Sequence, residues 1–129
     1  AMVRIKSSIS AKAIKRMAVR VPEKMLSKIS DDIESSGYNK KQRLFWFEDI
    51  LTELFEKEDC YYLIAEEFIQ AGTTKVINLS ITLDTFKKID KTVKIVEEKE
   101  GCKKDRSTVI RTAILQRLIN SNIKIKTGS

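Results

Sequence analysis

The chain has 129 residues, of which 42% are hydrophobic and 33% charged. This excludes a chain disordered throughout and fits one domain, or two small units that depend on each other. Lysine and arginine total 25 against 18 aspartates and glutamates, a formal charge of +7, and such an excess points to a polyanionic partner. There is no histidine, which removes the commonest general base and metal ligand, and Cys60 and Cys102 stand far apart without a CxxC pair; a zinc finger or thioredoxin-type site is excluded, and no metal, cofactor or catalytic residue is expected.

In chain order, residues 1–14 carry Arg4, Lys6 and Lys12 among small residues and read as a flexible basic arm. Arg16-Met17-Ala18-Val19-Arg20-Val21 alternates, which predicts a strand with Met17, Val19 and Val21 on one face and Arg16, Ala18 and Arg20 on the other. Pro22 marks the handover to a helix carrying Leu26, Ile29 and Ile33, and Gly37 ends it. Asn39-Lys40-Lys41-Gln42 reads as a capping box for a second helix through Trp46, Ile50, Leu51, Leu54 and Phe55. Phe45, Trp46 and Phe47 are expected in the core or an interface. Residues 56–74 are an acidic helical connector with Tyr61, Tyr62, Leu63, Ile64, Phe68 and Ile69 as its packing side chains and Gly72 as its end. A second alternating run, Val76-Ile77-Asn78-Leu79-Ser80-Ile81, is followed by Thr82 as a cap, a helix with Phe86, Ile89, Val93 and Val96, Gly101 as its stop, and Asp105 as the cap of a last helix. Residues 120–129 are a tail. The longest uninterrupted apolar run, Cys60 to Ala65, is far too short to span a membrane, and the N-terminus lacks the apolar segment of a secretory signal, so a reduced cytoplasmic setting is expected.

The order strand–helix–helix occurs twice. Met17, Val19, Val21, Leu26, Ile29 and Ile33 shifted by 60 fall on Ile77, Leu79, Ile81, Phe86, Ile89 and Val93. From Gly37 onward the shift becomes 64, so that Trp46, Ile50, Leu51, Leu54 and Phe55 fall on Ile110, Ile114, Leu115, Leu118 and Ile119. The four extra residues are about one helical turn and leave a helix face in phase. Charge follows the same plan: residues 1–45 are net +7, residues 46–72 net −7, and residues 73–129 net +7. One unit of about 45 residues can hardly bury a sufficient core, and its single strand is unpaired. Pairing the two strands solves both problems. The expected fold is mainly α with one short two-stranded antiparallel β-ribbon, made by unit 1 (15–55) and unit 2 (75–119) as one folded domain.

This arrangement resembles the ribbon-helix-helix family of DNA-binding proteins, the Arc and MetJ type. The resemblance rests on the two alternating runs and most sharply on Asp105-Arg106-Ser107-Thr108-Val109-Ile110-Arg111-Thr112-Ala113-Ile114, which is similar to the family's second-helix pattern. Lys41-Gln42-Arg43-Leu44-Phe45-Trp46 in unit 1 departs from it. Two units in one chain look like the TraY-type relaxosome accessory proteins of conjugative DNA transfer, and imply a single-chain pseudo-dimer, with a higher oligomer on DNA as a further possibility.

The resemblance implies that the outward strand residues read bases in the major groove: Arg16, Ala18 and Arg20 in unit 1, Val76, Asn78 and Ser80 in unit 2. Their chemistry agrees, because arginine grips guanine O6 and N7 and asparagine pairs with adenine N6 and N7. Phosphates are expected at the starts of the second helices, where free N–H groups and the helix dipole favour an anion. Asn39, Lys40 and Lys41 crowd one start, and Lys103, Lys104, Arg106 and Ser107 the other; Lys12, Lys15 and Lys75 are further backbone-contact candidates. The expected function is sequence-selective binding of double-stranded DNA at an asymmetric site, in DNA transfer or plasmid processing, with relaxase or other transfer proteins as further partners. The alternatives are a transcriptional repressor of the same fold and a protein-interaction module such as an antitoxin or an adaptor for a relaxase or motor. An enzyme is not expected.

Overall fold

In a computed structural model the chain is mostly helical, with one two-stranded antiparallel sheet. The structure describes residues 13–67 and 72–128, with side chains as far as Asn120. The basic residues Arg4, Lys6 and Lys12 of the expected arm, and Phe68 and Ile69 of the connector, lie outside the described residues.

Strand β1 (Ile14–Pro22) pairs with β2 (Thr74–Thr82), Ala18 standing opposite Asn78 at the centre. Both strands run further than the alternating runs alone predict, and Ile14, assigned to the arm by sequence, is the first strand residue, opposite Thr82. The pairing continues beyond the strand ends: Glu23 N–H donates to the Thr73 carbonyl and Leu83 N–H to the Ala13 carbonyl, each at 2.9 Å. The period of two then divides the side chains. Val19, Val21 and Ile81 are fully buried, Ile77 and Leu79 nearly so, and Met17 is half-buried. Arg16, Ala18, Arg20, Val76 and Asn78 are exposed, and Ser80 is half-buried.

Pro22 hands β1 to a 3-10 turn, Glu23–Met25, and helix α1 (Leu26–Ser35). The Asn39 box forms as expected: the Asn39 side chain accepts from Lys41 N–H (2.9 Å) and Gln42 N–H (3.1 Å), and Gln42 Oε1 accepts from Asn39 N–H. It opens a 3-10 turn, Lys40–Gln42, that leads into α2 (Arg43–Phe55). After β2, Thr82 caps α4 (Leu83–Glu100) by accepting from Thr85 N–H, and Gly101, with φ of 71°, ends it in the left-handed conformation that glycine adopts freely. Asp105 then caps α5 (Arg106–Gly128).

Two expectations are corrected. Among the described residues of the connector the helix, α3, is Cys60–Ala65. Asp59 makes no side-chain cap there, and the acids that follow, Glu66 and Glu67, oppose the negative end of a helix dipole. The expected tail is instead a continuation of α5 to Gly128, because no glycine or proline interrupts residues 106–127.

The core lies between the inner ribbon face and the helices. The packing is reciprocal: α2 lies on β2, and α5 lies on β1. Trp46, Ile50 and Leu54 and their counterparts Ile110, Ile114 and Leu118 are all buried. The correspondence fails at Leu51, which is fully buried, and Leu115, which is 45% exposed. Phe45, expected with the other aromatics in the core or an interface, is exposed, whereas Trp46 and Phe47 stack edge to face inside. Tyr61 packs under the Lys99 ammonium, and Tyr62 is exposed. Among the described residues no helix is long and apolar enough to cross a membrane.

Candidate nucleic-acid interface

The outward face of the ribbon is a double row of side chains with Ala18 and Asn78 at its centre. Arg16 faces Ser80 toward one end, and Arg20 faces Val76 toward the other. Arg20 Nη1–H donates to Thr74 Oγ1 across the ribbon at 3.1 Å. Exposed Ile14 and Val76 give each end an apolar contact surface.

The helices are bonded to the strands of this face through two arginines that sequence reasoning did not single out. Arg43, the first residue of α2, donates to the Asn78 carbonyl at 2.8 Å while its guanidinium lies over the Phe47 ring. Arg111, one turn into α5, donates to the Arg20 carbonyl at 3.2 Å and is held by a two-pronged ion pair with Glu67, both bonds 3.0 Å. Each second helix thus grips the strand of the other unit, on the residue whose side chain points outward. Only the basic character of these positions is visible in the sequence; which carbonyls they reach depends on the strand register.

The six outward strand residues therefore come together on one surface. The proposed phosphate residues are more divided. Lys40 and Lys41 are exposed and line one open cleft with Arg16, Arg43, Asn78 and Ser80. Asn39 sits beside them, but its side chain is committed to the capping box. At the α5 start only Lys103 is exposed without an ion pair among the described residues. Lys104 donates to the Glu67 carbonyl at 2.9 Å, and Arg106 makes a two-pronged pair with Asp90, at 2.5 and 3.1 Å, over the Phe86 ring. Ser107 is half-buried in the first turn of α5. Lys15 and Lys75 belong by parity to the helix side of the ribbon, and the Lys15 ammonium stands 5.2 Å over Phe86.

The ionisable groups below the face are structural. Asp32 accepts from the Trp46 indole N–H (2.8 Å) and from Arg117 Nε–H (3.1 Å), and Arg117 also reaches Glu53 and Ser36, so that α1, α2 and α5 are tied at one point. Glu48 of α2 accepts from Thr82 N–H and from the hydroxyls of Thr82 and Thr85, serving as a second cap for α4. Tyr38 donates its hydroxyl to Asp49, which raises the phenol above its ordinary range. Burial acts to raise the Asp105 carboxyl, but the Thr108 N–H and hydroxyl outweigh it and hold Asp105 below the usual carboxylate range. Cys60 is buried and its thiol is pushed up to about 11, chiefly by burial and then by the Asp59 charge, which makes it unreactive.

Comparison with known proteins found no matching family, curated protein or solved structure.

Proposed function

We propose that this chain is a sequence-selective binder of double-stranded DNA, a tandem ribbon-helix-helix pseudo-dimer that inserts its ribbon into the major groove. The observation that carries this reading is the pair of exposed rows on a ribbon whose other side is buried. Paired strands stand about 4.8 Å apart and the major groove is about 12 Å wide, so such a ribbon fits between the phosphate walls with its side chains at the base edges.

Internal symmetry supports the tandem reading. Ala18 and Asn78, partners at the ribbon centre, are also the residues related by the 60-residue shift. The same shift carries the Glu23–Thr73 hydrogen bond onto Leu83–Ala13. A two-fold axis through the Ala18–Asn78 pair produces both relations.

In this reading Arg16 and Arg20 bind guanines and Asn78 an adenine, each pair worth about 1–3 kcal/mol of discrimination. Because half-site symmetry mirrors protein symmetry, the unlike rows Arg-Ala-Arg and Val-Asn-Ser call for a non-palindromic site. Similarity in layout to TraY-type proteins supports a role beside the DNA-processing enzymes of conjugative transfer or plasmid maintenance, with the DNA contact as this chain's contribution.

Selection from a pool of random duplexes with the full chain tests the reading. A non-palindromic site should be enriched, with affinity falling steeply as salt rises. Arg16→Ala combined with Arg20→Ala should abolish selectivity and leave residual salt-sensitive binding. Binding that is flat from low to moderate salt, or selectivity unchanged in the double variant, refutes it.

A further inference from the structure

The starts of α2 and α5 occupy equivalent places in the repeat, and the sequence crowds both with basic residues. The structure makes them electrostatically unlike. At the α2 start a cleft of about 830 Å³ opens between the Lys40–Gln42 turn and the ribbon. Arg16, Lys40, Lys41 and Arg43 line it from the strand, the turn and the helix, and no carboxylate does. Among the described residues none of these four makes an ion pair. Arg43 is held in place by its bond to the Asn78 carbonyl, so one cation of the cluster is already fixed against the ribbon edge.

At the α5 start the position equivalent to Lys41 under the 64-residue shift is Asp105. Its carboxylate takes the Thr108 N–H and hydroxyl, as the Asn39 side chain takes the Lys41 and Gln42 N–H groups at the α2 start, but it brings a negative charge where Asn39 is neutral. Lys104 is turned to the Glu67 carbonyl, and Arg106 is neutralised by Asp90. Four cations without an ion pair among the described residues therefore line one end of the ribbon, whereas at the other Arg106 is paired with Asp90 and Asp105 adds a negative charge.

Resting on the DNA-binding reading above, we infer that the phosphate grip is single-ended: Lys40, Lys41 and Arg43, in the cleft beside Arg16, take the sugar-phosphate backbone next to the half-site that Arg16 and Ser80 face, and the α5 start makes no equivalent grip. Convergent uncompensated cations in a concave wall concentrate positive potential, and a phosphodiester strand relieves their mutual repulsion. The cleft is open and lacks the enclosure of a site for one small ion. The protein consequently lies on its site in one orientation, and its footprint extends further on the Arg16 side.

The test uses the full chain and a duplex bearing the selected site. The base positions whose selectivity relaxes in Arg16→Ala and in Arg20→Ala mark which half is which. Neutral methylphosphonate linkages are then placed on either flank. Linkages beside the Arg16 half should weaken binding at least tenfold, and those beside the Arg20 half less than twofold. Lys40→Ala with Lys41→Ala should lower the slope of log affinity against log salt by about two, at slightly under one per phosphate contact, and Lys103→Ala should leave it unchanged. Both lysines are exposed, so the variants keep the parent's thermal midpoint. Equal losses from both flanks, or a larger loss on the Arg20 side, overturn the single-ended grip while DNA binding stands. Failure of the parent chain to select any duplex removes the reading on which it rests.

Discussion

Val19 and Val21 are fully buried, whereas Arg16, Ala18 and Arg20 on the same strand stand in solvent. The contrast repeats on β2, where Ile81 is fully buried and Val76 is 48% exposed. The inner rows of the two units match in character, Met-Val-Val against Ile-Leu-Ile, and the outer rows do not, Arg-Ala-Arg against Val-Asn-Ser. A core must be filled to a fixed density, so both units place apolar side chains there. The outer rows contribute little to the core, with the Arg20–Thr74 bond across the ribbon as a surface contact, and are free to differ, as the proposed reading of an asymmetric site needs.

The comparison breaks most violently on the inner face. Val19→Asp buries a charge without a partner, at a cost on the order of the stability of the whole domain; urea titration followed by circular dichroism should show no cooperative transition. Next in size is the polar knot beneath the helices. Asp32→Ala removes the acceptor shared by Trp46 and Arg117 and should cost about 3 kcal/mol, read as a lower urea midpoint with an unchanged slope; Asp32→Asn, which keeps an acceptor for the indole, should cost less. Cys60 gives a smaller effect with a defined sign. Its thiol is raised from about 9 to about 11 in the folded chain, so the folded state holds the proton more tightly than the unfolded state. The stability this confers is complete below pH 9 and is lost as pH rises toward 11. Thermal midpoints should fall across that window, and less so in Cys60→Ala. Smallest of all, Arg16→Ala with Arg20→Ala should change stability by no more than about 0.5 kcal/mol, although under the proposed function the same pair should remove selectivity for DNA. A large loss of stability in that variant would mean that the outer row is structural and would erase the distinction between the faces.

The strands, both caps of the second helices, the glycine stops and the burial of one ribbon face were legible in the sequence because each follows from local chemistry: a period of two, a side chain that accepts a neighbour's N–H, a residue that tolerates positive φ. Phe45 was not, because a run of three aromatics does not say which one the helix turns outward. The extent of the connector helix was misjudged for a related reason, since apolar content argues for packing and says little about where backbone hydrogen bonding ends. The expected phosphate residues were judged by basic character, which is present at both helix starts: Lys40 and Lys41 at one, and Lys103, Lys104 and Arg106 at the other. Lys104 is turned to the Glu67 backbone carbonyl and Arg106 is paired with Asp90, 37 and 16 residues away in the chain, and no local pattern encodes those meetings.

Sequence alone determined that this chain carries two alternating runs, each with one face to bury and each followed by helical spacing, because periodicity is a property of residue order. Tertiary structure decided which charges remain available. An ion pair needs two side chains brought within a few ångströms, and here that proximity is set by strand register and helix packing, which leave Lys40 and Lys41 open to solvent and close the opposite end on itself.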